Sequence, residues 1–226
     1  MPSVLFVFTS VNKTPAGSPT GWFLPEAAHP YYILAQHATI DFAAVEGPNP
    51  PIFEQSIELF SEDKVCIRFL NNNSIKAKLA NAKKLTEVNA QDYDAIYYVG
   101  GHGPSFDLYK DSTNIKLASQ FYQAGKVIGA TCHGPAALLR VTDASGKPII
   151  GGRTLTAFSN EEEELVGMTN NIPFTLEDKI PELGGKYEKA TEPWGAKVVV
   201  DGNLITGQNP GSSVPLAEEM LKALQK

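Results

Sequence analysis

The sequence predicts an α/β fold: a doubly wound, mainly parallel sheet with helices on both faces. Three observations carry that expectation. Four short runs, residues 3–9, 39–45, 94–100 and 126–130, read as strands, and the cores of the first and third are continuously apolar rather than alternating, as strands covered on both faces require. Stretches with helical spacing separate the four runs, which is the connection parallel strands need. Loops rich in glycine or proline follow the runs, at the sheet end where open α/β sheets bind ligands.

In order along the chain, residues 12–22 are rich in Gly, Pro, Ser and Thr and form the loop after the first strand. Residues 23–35 read as a helix, with Pro25 tolerated near its start and Pro30 expected to kink or break it. Glu26 then falls at the loop-facing beginning of that helix. Residues 56–60 and 72–84 carry mixed helical spacing, and residues 115–124 a clearer one. Residues 126–139 read as strand, sharp turn and helix, with only Thr131 to Pro135 between the apolar strand and the helical pattern. Gly129 and Gly134 permit tight backbone approach there, and Pro135 has a φ suited to a first helical turn. The later part reads as additions to this core. They are a short strand at 154–158, a helix capped by Asn160 with glutamates at its positive end, and a small added hairpin at 197–206 around Asp201-Gly202-Asn203. Residues 214–224 form the closing helix. A single domain over residues 1–226 is expected.

With 42% hydrophobic and 19% charged residues the chain has the composition of a globular protein, and no run approaches the roughly 18 apolar residues of a membrane helix. Its net charge of −6 disfavours nucleic acid and anionic membrane as partners. Two distant cysteines, Cys66 and Cys132, make no disulfide framework and suit a reducing compartment. With no signal-like opening segment, the expected location is the cytoplasm, with the nucleus as a second compartment.

Cys132, at the abrupt turn, sits where free backbone N–H groups and the positive end of a helix favour a thiolate. Cys66, inside Val65-Cys66-Ile67, is assigned to packing. The four histidines, at 29, 37, 102 and 133, all lie at or before His133. Amidotransferases and hydrolases with a nucleophile elbow draw their histidine from far downstream. Here the partner must be His133 or His102, oriented by a carboxylate from residues 160–164 whose other glutamates are a solvated helix start. Glu26, among apolar residues, is either a carboxylic acid with a raised pKa facing the thiolate or a plain helix N-terminal carboxylate. His29 and His37 read as surface or packing residues. No metal is expected, because no tight metal-ligand spacing occurs, and no dinucleotide or phosphate-loop fingerprint is present.

These segments together are similar to the ThiJ/PfpI superfamily, and within it to the branch of yeast heat-shock chaperones that act as glyoxalase III. The resemblance is carried by residues 21–30 (Gly-Trp-Phe-Leu-Pro-Glu-Ala-Ala-His-Pro), 87–93, 100–103 (Gly-Gly-His-Gly), the elbow at 130–135, and residues 158–163 and 204–210. It implies a flavodoxin-like sandwich of the class I glutamine amidotransferase type, homodimeric and free of cofactors. It also implies Cys132 as nucleophile, His133 as its base, Glu163 as third triad member among residues 161–164, and Glu26 as the acid touching the sulfur. Gly101 and Gly103, flanking His102, would supply backbone donors to the substrate oxyanion. The implied activity converts methylglyoxal, a small 2-oxoaldehyde, and water to D-lactate without glutathione or metal. The alternatives are a holdase chaperone for unfolded proteins and a redox sensor oxidised at Cys132. A peptidase is weakened by the lack of a downstream histidine.

Overall fold

The computed structural model describes residues 1–225. Along the chain come β1 (Ser3–Phe8), α1 (Leu24–Leu34), β2 (Thr39–Ala44), α2 (Glu54–Leu59), α3 (Lys64–Asn71), α4 (Asn73–Ala80), β3 (Lys83–Lys84) and β4 (Ala95–Tyr98). There follow α5 (Ser112–Gln123), β5 (Val127–Thr131), β6 (Thr154–Leu155), α6 (Asn160–Leu165), α7 (Leu176–Glu182), β7 (Lys186–Tyr187), β8 (Val198–Asp201), β9 (Leu204–Gly207) and α8 (Ser213–Leu224). The main sheet has the order β3-β2-β1-β4-β5-β9-β8, and all of its pairs are parallel except β8 with β9. Strands β6 and β7 pair apart from it.

The apolar runs of β1, β4 and β5 are buried throughout because a core lies on each face. One core packs Val4, Phe6, Trp22, Leu24, Phe69 and Met220, from the side of α1, α3 and α8. The other packs Leu5, Val7, Leu117, Phe121, Leu138 and Ile180, from the side of α5 and α7. Fully burying each such side chain stabilises the fold by about 1.5–3 kcal/mol. Cys66 lies in the first core, on α3, a helix capped by Asp63 that the sequence reading did not include.

Several elements differ from the sequence reading, each for a tertiary reason. The hairpin is no addition, since β9 pairs with β5 from Ile128↔Leu204 to Thr131↔Gly207 and belongs to the main sheet. Lys83 and Lys84 extend that sheet as β3 rather than prolonging a helix. The run at 154–158 is a two-residue strand, and α6 is capped by Ser159, whose hydroxyl accepts from the Glu162 N–H, rather than by Asn160. Pro30 does not break α1. Its missing N–H leaves the Glu26 carbonyl without the usual bond from the residue four positions on, and the Tyr97 hydroxyl donates to that carbonyl at 2.7 Å instead.

The chain winds from β1 outward through β2 and β3, then returns to place β4 on the other side of β1. The crevice at that reversal, above the carboxyl ends of β1, β4 and β5, is where the candidate residues converge.

Candidate active site

Strand β5 ends at Thr131, and Cys132 adopts φ 60°, the left-handed region that costs a residue with a side chain roughly 1–3 kcal/mol. The surrounding chain imposes it. The Cys132 N–H donates to the Gly207 carbonyl at 2.9 Å, and its carbonyl accepts from the Phe158 N–H at 3.1 Å. Gly134 lets the turn close, because a Cβ there would stand 2.5 Å from the Tyr98 carbonyl. The segment that follows, Gly134–Leu138, is a 3₁₀ run and not an α-helix. A short run of that kind lacks a full helix dipole. The expectation that the elbow alone favours a thiolate is therefore corrected. Burial and the neighbouring Glu26 carboxyl push the Cys132 thiol well up, and the Gly101 N–H offsets this only in part.

The base that can take the thiol proton is in place. His133 Nδ1 lies 3.3 Å from Cys132 Sγ, and His133 Nε2 lies 2.7 Å from Glu163 Oε2. The other oxygen, Glu163 Oε1, is 2.6 Å from His102 Nε2. Burial opposes ionisation of Glu163, but the facing His133 and hydrogen bonds from both imidazoles prevail and hold its carboxyl at about 2. An ionised carboxylate only accepts, so both Nε2 atoms donate to it, and the His133 lone pair at Nδ1 faces the sulfur. Burial and the neighbouring His133 lower the His102 pKa. The two imidazoles stack at 4.1 Å, and Phe158 covers His133 at 4.7 Å.

Glu26 is fully buried at the start of α1, and its carboxyl is pushed up to about 8 by burial, against the lowering influence of Cys132 and the Gly101 N–H. Neither carboxyl oxygen closes a hydrogen bond with a protein group, so backbone position fixes where the carboxyl sits. Of the two readings of this residue, the structure therefore favours the proton-bearing acid. Gly100 makes room for it, because a Cβ there would lie 2.2 Å from Glu26 Oε2 and 2.5 Å from the Thr131 carbonyl. Gly100→Ala is expected to displace acid and elbow together and to cut turnover by about 100-fold, the cost of an ångström's misplacement, in a steady-state assay.

Cys132, Glu26, Gly101, His102, Phe158 and Trp194 line one cavity of about 1790 Å³. Gly103 stands outside that lining. It starts a 3₁₀ turn against Thr9, whose side chain would be 2.3 Å from a Cβ at this position. His102 lines the cavity but commits Nε2 to Glu163.

The acidic run divides. Glu161 and Glu164 are solvated, whereas Glu162 and Glu163 are buried. Glu162 has a structural part that sequence reasoning missed. Its Oε2 accepts from the Ser159 N–H and hydroxyl, and its Oε1 accepts from the Trp194 N–H at 2.9 Å and from Asn209 Nδ2 at 2.7 Å. That second pair holds Trp194, itself at φ 65°, against Phe158 at 5.7 Å over the cavity. Glu162→Ala strands several buried donors, and a loss of roughly 3 kcal/mol, about 10 °C in Tm, is expected in thermal unfolding.

Among the described residues two sets offer a cation three ligand atoms within 4.8 Å of one another: His102, His133 and Glu163, and His29, Asp63 and Cys66. The first is assembled from distant positions, and the second joins His29 to Asp63 and Cys66, which lie three residues apart. In the first, both Nε2 atoms are already bonded to the carboxylate. In the second, Asp63 caps α3 through Oδ1 and meets His29 through Oδ2, while burial and Asp63 push the Cys66 thiol up to about 12.

A cysteine on a left-handed turn at the end of a parallel strand, with an imidazole one residue on and carboxyls on both sides, marks a thiol-centred protein of the flavodoxin-like class. The chain belongs to the DJ-1/PfpI family, whose pattern matches residues 55–223. It is 31% identical to glyoxalase 3 of Candida albicans over 100% of this chain and 99% of that protein. It is 32% identical to the glutathione-independent glyoxalase HSP31 of Saccharomyces cerevisiae, over 98% of each. Among solved structures, the Francisella tularensis rapid encystment protein of 24 kDa superimposes with a TM-score of 0.94 at 38% identity, covering 99% of both chains. Glyoxalase III of Candida albicans gives 0.87 at 30% identity, covering 98% of this chain and 97% of that one. No helix among the described residues is long and apolar enough to cross a membrane.

Proposed function

We propose that the protein is a glutathione-independent glyoxalase that converts methylglyoxal and water to D-lactate. The single observation that carries this reading is the Cys132–His133–Glu163 relay facing the buried acid Glu26 across one cavity. Full-length relatives that are named glyoxalases support the same reading. His133 Nδ1 takes the thiol proton, and Glu163 stabilises the imidazolium. The thiolate adds to the aldehyde carbon and gives a hemithioacetal, whose oxygen lies near the Gly101 N–H. The imidazolium returns its proton to that oxygen. His133 then removes the proton on the carbon while Glu26 protonates the ketone oxygen, which forms an enediol. His133 delivers its proton to the adjacent carbon as Glu26 recovers one from the hydroxyl, leaving a lactoyl thioester. Water hydrolyses the thioester and restores the thiol. The aldehyde carbon is oxidised and the ketone carbon reduced, so no external electron carrier enters. Glu26, protonated at neutral pH, supplies a proton to the developing oxygens.

The test is incubation with methylglyoxal in the absence of glutathione, with D-lactate measured directly. Stoichiometric D-lactate is expected, and none overturns the reading.

A second reading, a holdase for unfolding proteins, is favoured by a different observation. Leu59, Leu165, Val166, Trp194 and Val214 are exposed and ring the cavity mouth. Leu165→Asp with Val166→Asp is expected to weaken suppression of client aggregation in light scattering; unchanged suppression sinks this reading. Homodimeric assembly in the cytoplasm remains part of the proposal, and sedimentation tests the assembly.

A further inference from the structure

The Tyr97 phenol joins the residue that bears the buried acid to the residue that precedes the nucleophile. Pro30 has no N–H, so the Glu26 carbonyl lacks the usual bond from the residue four positions on, and the Tyr97 hydroxyl donates to it at 2.7 Å. A carbonyl can only accept, so the one phenolic proton is committed there. At its other contact, 3.0 Å from Thr131 Oγ1, Tyr97 must therefore accept, and the threonine donates. The chain of bonds runs one way, from Thr131 through Tyr97 to Glu26, and Thr131 leads directly into Cys132.

The phenol is well suited to hold this span. Tyr97 lies on central strand β4 and is fully buried. It pairs with Gly129 of β5, where a Cβ would stand 3.1 Å from its ring. The Glu26 carboxyl makes no closed hydrogen bond of its own, so the backbone of its helical turn determines where the acid stands. Pro30, an apparent helix defect, ends the segment 21–30, and no step of the reaction uses it.

We propose that Tyr97 is a positioning residue: by occupying the carbonyl that Pro30 leaves free, it locks the first turn of α1 to the elbow and so fixes Glu26 against Cys132. The proposal concerns the thiol–acid pair and does not depend on which carbonyl compound the site accepts.

The test follows Cys132 alkylation by iodoacetamide against pH, with peptide mass spectrometry separating it from Cys66. Tyr97→Phe is expected to move the Cys132 midpoint to lower pH by about one unit, a tenfold change in proton affinity, because a released Glu26 carboxyl no longer opposes the thiolate. In Tyr97→Phe with Pro30→Ala, the restored N–H satisfies the carbonyl but does not rebuild the link to Thr131, so the midpoint should stay shifted. In a Glu26→Gln background the Tyr97→Phe shift should vanish, since both changes act through one group. An unmoved midpoint in folded Tyr97→Phe, a full return to the wild-type midpoint on adding Pro30→Ala, or an equal shift in the Glu26→Gln background each overturns the proposal. If Tyr97→Phe does not fold, Thr131→Val cuts the same link at the elbow end and leaves the Glu26 carbonyl satisfied. That variant must then move the midpoint in the same direction, and an unmoved one overturns the proposal equally.

Discussion

Cys132→Ala is expected to reduce D-lactate formation from methylglyoxal to the uncatalysed background, a loss on the order of 10⁴-fold or more. The sulfur is the atom that would hold the substrate covalently through the proton shift. Without it, His133 and Glu26 face a freely diffusing dicarbonyl, and neither a hemithioacetal nor a thioester can form. The fold should survive, because the hydrogen bonds to Gly207 and Phe158 that impose φ 60° come from the backbone and not from the thiol. A Tm near that of the wild type, together with intact suppression of aggregation, would separate catalysis from a holdase role. Normal turnover in the variant overturns the catalytic reading.

Glu26→Gln is expected to have opposite effects on activity and stability. Loss of the proton-bearing group should cut kcat/KM by about 10²–10³-fold. At neutral pH the same change should stabilise the fold. The Glu26 carboxyl titrates near 8 in the folded protein against an ordinary 4.5. Below about pH 4.5 both states carry the proton and the group contributes nothing to pH dependence. Between there and pH 8 the unfolded chain ionises and the folded one does not, so stability falls as pH rises, and the loss levels off above 8. By pH 7 this amounts to roughly 3 kcal/mol, about 10 °C in Tm. The amide does not titrate, so the Tm gap between variant and wild type should open as pH rises from 4 to 8. Parallel curves across that range overturn the assignment. A site group that costs stability is an expected exchange of stability for activity.

Much of this was legible in the residues themselves. Buried strands of a doubly wound sheet announce themselves as short apolar runs, and the cysteine turn announces itself by its abruptness. The absence of a histidine after His133 pointed to the neighbouring imidazole, which lies 3.3 Å from the sulfur. What could not be read depends on partners distant in sequence. Nothing local in residues 204–207 says that β9 lies against β5. Nothing local distinguishes Glu162 from Glu163, although one holds the Trp194 strap and the other both imidazoles. Helical spacing after the elbow cannot separate a 3₁₀ run from an α-helix, and the burial and the Glu26 carboxyl that push the Cys132 thiol up come from segments distant in the chain. Pro30 misled because propensity knows only the missing N–H, and not the phenol that replaces it.

The bond from the Cys132 N–H to the Gly207 carbonyl also bears on how the protein is made. Strand β9 follows Cys132 by a long stretch of chain, so the bond to Gly207 cannot form until that strand has been made. A chain released before residue 204 lacks the Gly207 carbonyl that holds the Cys132 N–H, and with it one of the two backbone bonds about the left-handed turn.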